Sequence, residues 1–410
     1  MSKLYCLGAG AVIALCLPVG ATTLEDRIAA AEQRINAIEQ QNSEIPVRIN
    51  GFLTYAIQRT DTIRDALGND ITYGTTGTQW DSRPLSRAGL RLSAKISDKS
   101  SAVLQLLGSA EEDYDTSMQW AYLQYDVSPA LTWRAGRLVL PLYMHSQYTQ
   151  AAYAYPWVEL PAQVYGTLPV DTIEGLDLTW QFTSGQIRHR LNITWGNAEV
   201  PGDGFSGGFQ GRDQAGINLN SSLGSWSVRL GYASAQTSLA LPDLSALPPP
   251  NTGPDLSALS LDSAYGYFAS FGTQFDNGRL LVMAEMVRLG IDAPQHWLPT
   301  QTAGYITAGY RIGKMMPHLT WAAADSDDDS DCAAAADPAG CQFLLSQNSS
   351  RSKSWTIGAR YDLISGVALK AEATRFHDFS NSSVTNGVLF SGLPTNGSPM
   401  VFRFAVDAVF

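Results

Sequence analysis

From residue 47 to residue 410 apolar and polar side chains alternate in segments of about ten residues, and no apolar run there reaches the ~20 residues a membrane helix needs. A period of two puts successive side chains on opposite faces of a sheet. In the first segment, 47–58, the odd positions are mostly apolar, whereas Arg48, Asn50, Thr54 and Gln58 fall on the even ones. The pattern recurs at 85–97, 101–110, 118–127, 131–139, 173–183, 187–196 and 212–223. It continues at 226–236, 263–275, 279–290, 303–312, 314–323, 354–363, 367–377 and 400–410. About ten residues is what a tilted strand needs to cross hydrocarbon. The same alternation explains a chain that is 45% hydrophobic and only 16% charged, yet has a mean hydropathy of −0.08.

Connection lengths alternate too. Short turns at 98–99, 128–130, 184–186, 224–225, 276–278, 313 and 364–366 take turns with long polar segments. A membrane barrel has short turns at one rim and long loops at the other, a regularity that a soluble sandwich has no reason to keep. The expected fold is therefore all-β, a transmembrane antiparallel barrel of about sixteen strands over 47–410. In the closing segment Phe402, Phe404, Val406, Ala408 and Phe410 share one face, and Arg403 and Asp407 the other. A terminal aromatic behind alternating apolar residues resembles the assembly signal of bacterial outer-membrane proteins. That makes the barrel assembly machinery the expected partner of the Phe410 strand.

Residues 1–21 read as a Sec signal peptide: Lys3, an apolar stretch at 4–17, then Val19, Gly20 and Ala21 as a small-residue cleavage site. In residues 22–46, Leu24, Ile28, Ala31, Ile35 and Ile38 form a heptad seam. Thr23 can cap that helix. A periplasmic coiled coil and a helix lying on its own protomer both fit the seam. Once the signal is removed, Cys332 and Cys341 remain, nine apart in a polar segment of an exported chain. They read as a loop disulfide, and no His lies near enough in sequence to suggest a metal.

The connection 140–172 contains Tyr143, Tyr148, Tyr153, Tyr155, Trp157 and Tyr165, together with the acids Glu159 and Asp171. So many aromatics on a loop in water would be unfavourable, so the segment is expected to pack against something. The inside of the barrel, a lid over its mouth and a contact with another subunit are all compatible.

With the apolar register outward, Arg48, Arg87, Arg91, Lys95 and Arg403 point inward from the first two strands and the last, which become neighbours on closure. Arg134, Arg188, Arg190, Arg229, Arg360 and Lys370 fall inward as well, against Asp126, Asp177, Glu285, Asp362, Glu372 and Asp407. Much of the net charge of −11 belongs instead to outer segments, above all 325–331. Two readings follow. Rings of Arg and Lys favour small anions such as carboxylates in a pore. Alternatively the basic residues pair with Glu159 or Asp171 and hold the aromatic connection in place. The third and eleventh strands are apolar on both faces, which leaves their register open.

His145, His189, His296, His318 and His377 are scattered, with no catalytic partner at suggestive spacing, so neither an enzyme nor a cofactor is expected. The run 325–331 lacks the central Gly and terminal Glu of a calcium loop, so no metal site is expected there. Nothing suggests nucleic-acid binding. A barrel serving as a surface adhesin or a structural protein stays open as an alternative.

The chain resembles the sixteen-stranded Gram-negative porins, most closely the DcaP-like trimeric porins with an N-terminal coiled coil. The features that carry the resemblance are the signal, the heptads, the barrel at 47–410 and the long connection after Trp133-Arg134-Ala135-Gly136-Arg137. Porins of this size fold the loop after the fifth strand inward, which implies that 140–172 is a pore-constricting loop. The resemblance also implies an outer-membrane location with the helix in the periplasm, a homotrimer, and contact with outer-membrane lipid and lipopolysaccharide. The function it implies is passive diffusion of small hydrophilic, often anionic, solutes.

Overall fold

A computed structural model describes residues 47–64, 68–168, 170–200, 208–243, 245, 255–292, 297–327, 332–348, 351–378 and 398–410. The signal peptide, the heptad helix, His296, residues 328–331 and most of the Pro-rich stretch 242–254 lie outside the described residues.

Sixteen strands form the barrel. The first eight are β1 (Val47–Thr60), β2 (Arg87–Lys95), β3 (Ser100–Ser109), β4 (Thr116–Ser128), β5 (Leu131–Val139), β6 (Thr172–Ser184), β7 (Ile187–Val200) and β8 (Phe209–Leu223). The others are β9 (Trp226–Leu239), β10 (Leu261–Asp276), β11 (Leu280–Asp292), β12 (Gln301–Tyr310), β13 (Met315–Ser326), β14 (Arg351–Ile364), β15 (Val367–His377) and β16 (Met400–Val409). Every neighbouring pair is antiparallel, and β1 pairs with β16 in the register Phe52↔Val409 to Thr60↔Val401. Closure removes both sheet edges, so no row of backbone amides is left unpaired in an environment without water.

Along β1 the even residues Thr54, Ala56, Gln58 and Thr60 are buried, while Ile49, Leu53 and Tyr55 stand exposed on the outer face. The same inversion runs around the barrel: Leu176, Trp180, Ile193, Trp195, Trp226, Leu230, Ile306, Ile357 and Phe404 are exposed. A continuous apolar exterior of this kind is a surface for hydrocarbon rather than water.

The seam between β1 and β16 ends on a specific fit. The Gly51 N–H donates to the Phe410 carbonyl at 2.8 Å, and the Phe410 N–H donates back at 3.0 Å. The Phe410 ring lies over Gly51 so closely that a Cβ there would sit 2.2 Å from a ring carbon. Only glycine leaves the terminal aromatic its place.

The β3–β4 register shifts between Gln105 and Leu106, which pair with Trp120 and Met118. The bulge buries Gln119 and Trp120 together, and Gln105 lies opposite on the inner wall. At the outer rim, Cys332 and Cys341 form a disulfide with Cα atoms 5.5 Å apart. The disulfide packs with Leu256, Leu259, Leu261, Trp297 and Leu344 in a small core of its own. Two α-helices, α1 (Ala162–Tyr165) and α2 (Pro338–Asn348), and several three-residue 3-10 turns lie in the described connections. Asp325 and Asp327, at the head of the acidic run, are paired with Arg351 and Arg288 rather than left to solvent.

Candidate functional site

The connection between β5 and β6 lies inside the barrel, fastened to its wall in two ways. One is apolar. Phe268 on β10, Leu281, Met283 and Val287 on β11, Tyr305 on β12 and Met316 on β13 face inward. They share one core with Leu140, Leu142, Tyr143, Tyr155, Trp157, Leu160 and Val164 of the connection. Full burial of such side chains stabilises by roughly 1.5–3 kcal/mol each. It also explains the eleventh strand: β11 is apolar inside because the inserted segment covers it, and apolar outside because it faces lipid.

The second fastening is polar, and much of it grips backbone. Glu285 accepts the Met144 N–H and the Tyr165 hydroxyl, each at 2.6 Å. Glu372 accepts the Val158 N–H at 2.9 Å and the Glu159 N–H at 3.4 Å. Lys370 donates to the carbonyls of Ala152 at 2.6 Å and Trp157 at 2.8 Å, and pairs with Asp407 at 2.8 Å. Arg229 donates to the Pro141 carbonyl and to Asn218, and the Trp157 indole N–H to Thr320 at 2.8 Å. Arg360 reaches the Tyr153 carbonyl at 2.5 Å. Burying charge this deeply is costly unless it is paired and hydrogen-bonded; Lys370 meets both conditions, whereas Arg229 is held by hydrogen bonds without an ion pair among the described residues.

Arg403 requires a correction. On the inner wall of β16 it is only 2% exposed. It pairs with Glu159 and, at 3.4 Å, with Glu372, and it donates to Gln58 at 3.2 Å and Thr374 at 3.1 Å. Its guanidinium also lies 5.1 Å from the Tyr73 ring, whose hydroxyl donates to Glu159 at 2.9 Å. The arginine is therefore covered by the inserted segment and by the β1–β2 connection, and it lines no open space. Burial, reinforced by Glu159, pushes the Tyr73 phenol well above its ordinary range.

The remaining basic positions divide by place. Arg87 holds the segment through the Thr149 carbonyl at 3.2 Å, the Tyr155 hydroxyl at 3.1 Å and Gln150 at 3.1 Å. Arg91 lies 4.2 Å over the Trp120 ring and donates to Gln105 at 2.9 Å. Arg134 pairs with Asp177 at 2.8 Å beside the Tyr122 ring. Lys95 pairs with Asp98 in the β2–β3 turn, an exposed contact of little energetic weight. Arg48, Arg188 and Arg190 sit exposed on the inward register near the short-turn rim.

Space remains on both sides of the inserted segment. A cavity of about 870 Å³ opens toward the short turns, against Arg91, Gln105, Trp120, Tyr122, Arg134 and Asp177. Another of about 440 Å³ lies on the long-loop side, against Arg87, Tyr73, Glu111 and Glu159. The two share Ser146, Thr149, Gln150 and Asp171. Tyr148, Tyr153 and Tyr155 border these spaces, and Asp171 accepts from Gln119 at 3.4 Å. A third cavity, about 540 Å³, runs along β8–β14 with Arg229, Arg311 and Arg360 in its wall.

The sequence pattern missed two features. Arg311 forms a bidentate pair with Asp276 at 2.7 and 2.9 Å, but both sit at turn margins where alternation gives no face. Glu285 and Glu372 are legible as inward acids, yet their bonds to backbone N–H groups of the connection leave no mark in sequence. His145 lies near the start of the segment, 6% exposed, with its ring 5.8 Å from that of Trp157. Burial, with a smaller contribution from Arg229, lowers its pKa to about 4. Burial raises the Tyr155 phenol to about 12. Among the described residues no group of three or more His, Cys, Asp or Glu side chains could hold a metal ion.

No family model and no curated protein matches the chain. Solved structures do share its fold. The OmpF of Salmonella typhi, in complex with daunomycin, aligns at 11% identity and a TM-score of 0.57, over 89% of this chain and 97% of that one. The outer membrane channel DcaP of Acinetobacter baumannii aligns at 12% identity and 0.55, over 89% and 97%. An anion-selective porin from Comamonas acidovorans aligns at 13% identity and 0.54, over 89% and 99%.

Proposed function

We propose that this chain, with the closed sixteen-strand fold it shares with outer-membrane porins, is a diffusion channel for small hydrophilic solutes in the Gram-negative outer membrane. The observation that carries this reading is the inserted 140–171 segment. It is fixed to the wall by Glu285, Glu372, Lys370 and a shared apolar core, yet it leaves arginine-lined cavities beside it, along β2–β5 and along β8–β14. A barrel with only a structural or adhesive role gains nothing from an inserted segment that narrows the lumen and leaves such spaces open.

The solute path runs past Arg87, Arg91 and Arg134, with Arg188 and Arg190 at the short-turn mouth. Guanidinium groups beside water favour anions, and carboxylates fit their paired donors. Asp171 and Asp177 temper that preference, so the expected selectivity is for anions and modest. Residues 1–21 act as the export signal. In this reading residues 22–46, which lie outside the described residues, supply the periplasmic coiled-coil helix and its linker, and three copies assemble into a trimer, as one solved neighbour of this fold does.

Planar bilayers containing the purified protein are expected to show stepwise conductance in multiples of three channels. Under a salt gradient the reversal potential is expected to have the sign of anion preference. Silent membranes from well-folded protein would return the barrel to the adhesin reading.

A further inference from the structure

On the outer face of the barrel, lysine and arginine are distributed unevenly. Among the described strand residues, the half nearest the short turns carries none facing outward and presents aromatics there, such as Trp133, Trp180, Trp226 and Tyr361. The long-loop half carries several. Arg137, Arg288, Arg351 and Lys353 are each paired with an acid, namely Glu174, Asp327, Asp325 and Asp378. Arg212 on β8 meets only Gln210, at 3.0 Å. Arg59 on β1 and Arg375 on β15 likewise form no ion pair among the described residues, and the connection 379–397 that follows β15 contains no acid in its sequence.

These two arginines flank β16. Arg59 lies opposite Phe402, which in turn lies opposite Ala373; Arg375 lies opposite Met400 and Trp355. Two strand spacings of ~4.8 Å and a two-residue offset put their Cα atoms about 12 Å apart. The Arg59 guanidinium is 5.4 Å from the Trp80 ring and 5.8 Å from Phe402. Trp80 continues onto Phe404 at 5.6 Å. Two cations without an ion pair among the described residues thus stand over an aromatic and aliphatic floor on the surface that faces lipid. An unpaired guanidinium in hydrocarbon is costly, so these groups belong at headgroup depth, where an anion can meet them.

We propose that Arg59 and Arg375 bind the phosphate groups of a phosphorylated glycolipid in the outer leaflet, with Trp80, Phe402 and Phe404 receiving the start of its acyl chains. The proposal rests on the reading that the barrel spans the outer membrane with its long loops outward. Guanidinium groups suit phosphate by charge and by donor geometry. The bare aromatic rim at the other end fits a leaflet that makes no such demand.

The test uses the full-length protein in mild detergent, titrated with diphosphorylated lipid A and with the same lipid dephosphorylated. Binding is read by native mass spectrometry and by the shift in heat unfolding. Wild type is expected to prefer the phosphorylated form at least tenfold. The Arg59→Gln/Arg375→Gln double variant is expected to lose that preference, and Arg59→Lys/Arg375→Lys to keep part of it. Should the double variant fail to fold, the two single variants are each expected to lose part of the preference. Equal affinity for both lipids, or equal affinity in wild type and the Gln variants, would overturn the proposal. Smaller oligomers with lipid binding unchanged would also overturn it and assign the face to another copy of the chain. Bilayer conductance separates this site from the channel: a wild type that is silent in bilayers yet discriminates between the lipids keeps the lipid site and loses the diffusion reading.

Discussion

Glu372 on the inner wall accepts the backbone N–H of Val158 at 2.9 Å, joining residues 214 positions apart in the chain. The carboxylate also faces Arg403, so its removal leaves a buried arginine short of a partner. Taking one member from such a buried pair costs about 3–5 kcal/mol. Glu372→Ala is therefore expected to loosen the inserted segment, giving larger and noisier single-channel currents and a lower unfolding temperature. Glu372→Gln keeps an acceptor and is expected to fall between the two. Identical current traces from the Ala variant and wild type would remove Glu372 as an anchor.

The β2–β5 wall offers a graded test of selectivity. Arg91→Ser removes a cation whose described contacts are Trp120 and Gln105, so the reversal potential is expected to move toward cations with little change in stability. Arg134→Ser also strips Asp177 of its cationic partner, leaving it Thr179 and Asn192, and the shift is expected to be larger. Arg403→Ser should barely move the reversal potential but should lower stability. Salt-gradient measurements on the three variants would reveal a different order if the solute path followed another wall.

Acidification acts on His145. With its pKa lowered from an ordinary 6.5 to about 4, the folded segment holds this ring neutral over a range in which a released segment would protonate it. The released state then binds more protons, so seating weakens as pH falls from 6.5 to 4, by at most about 1.4 kcal/mol per pH unit. Current noise is expected to rise over that window in wild type. His145→Gln should be flatter there; an unchanged profile would assign the acid response to other groups.

At the outer rim the Cys332–Cys341 bond closes a short loop, for which chain entropy suggests roughly 2.5 kcal/mol of stabilisation. The Cys332→Ser/Cys341→Ser variant is expected to be cut by protease near α2 much faster than wild type. Barrel conductance and heat-modifiable gel mobility should stay the same. Loss of the barrel itself would show that the small outer core is not independent of it.

Much of the barrel was readable because lipid outside and water inside impose one rule on every strand, and turns such as 224–225 interrupt that rule cleanly. Reading stopped where the inserted segment replaces water. β11 then loses its alternation, and of the two roles open to Arg403 no local pattern could choose the pairing with Glu159 over a place beside solute. Trp157, readable only as an aromatic in need of a partner, found one in Thr320, 163 residues away. Such long-range pairings depend on closure, which no local pattern records.

The fit of Phe410 over Gly51 has a consequence for biogenesis. The glycine is synthesised near the start of the barrel and the aromatic at its end, so β1 keeps an open edge until β16 has arrived. A nascent chain interrupted anywhere before that strand presents two unsatisfied rows of amides to whatever handles it. The seam thus makes the arrival of β16 a physical condition for closing the barrel, and Gly51 the place where its fit is tested.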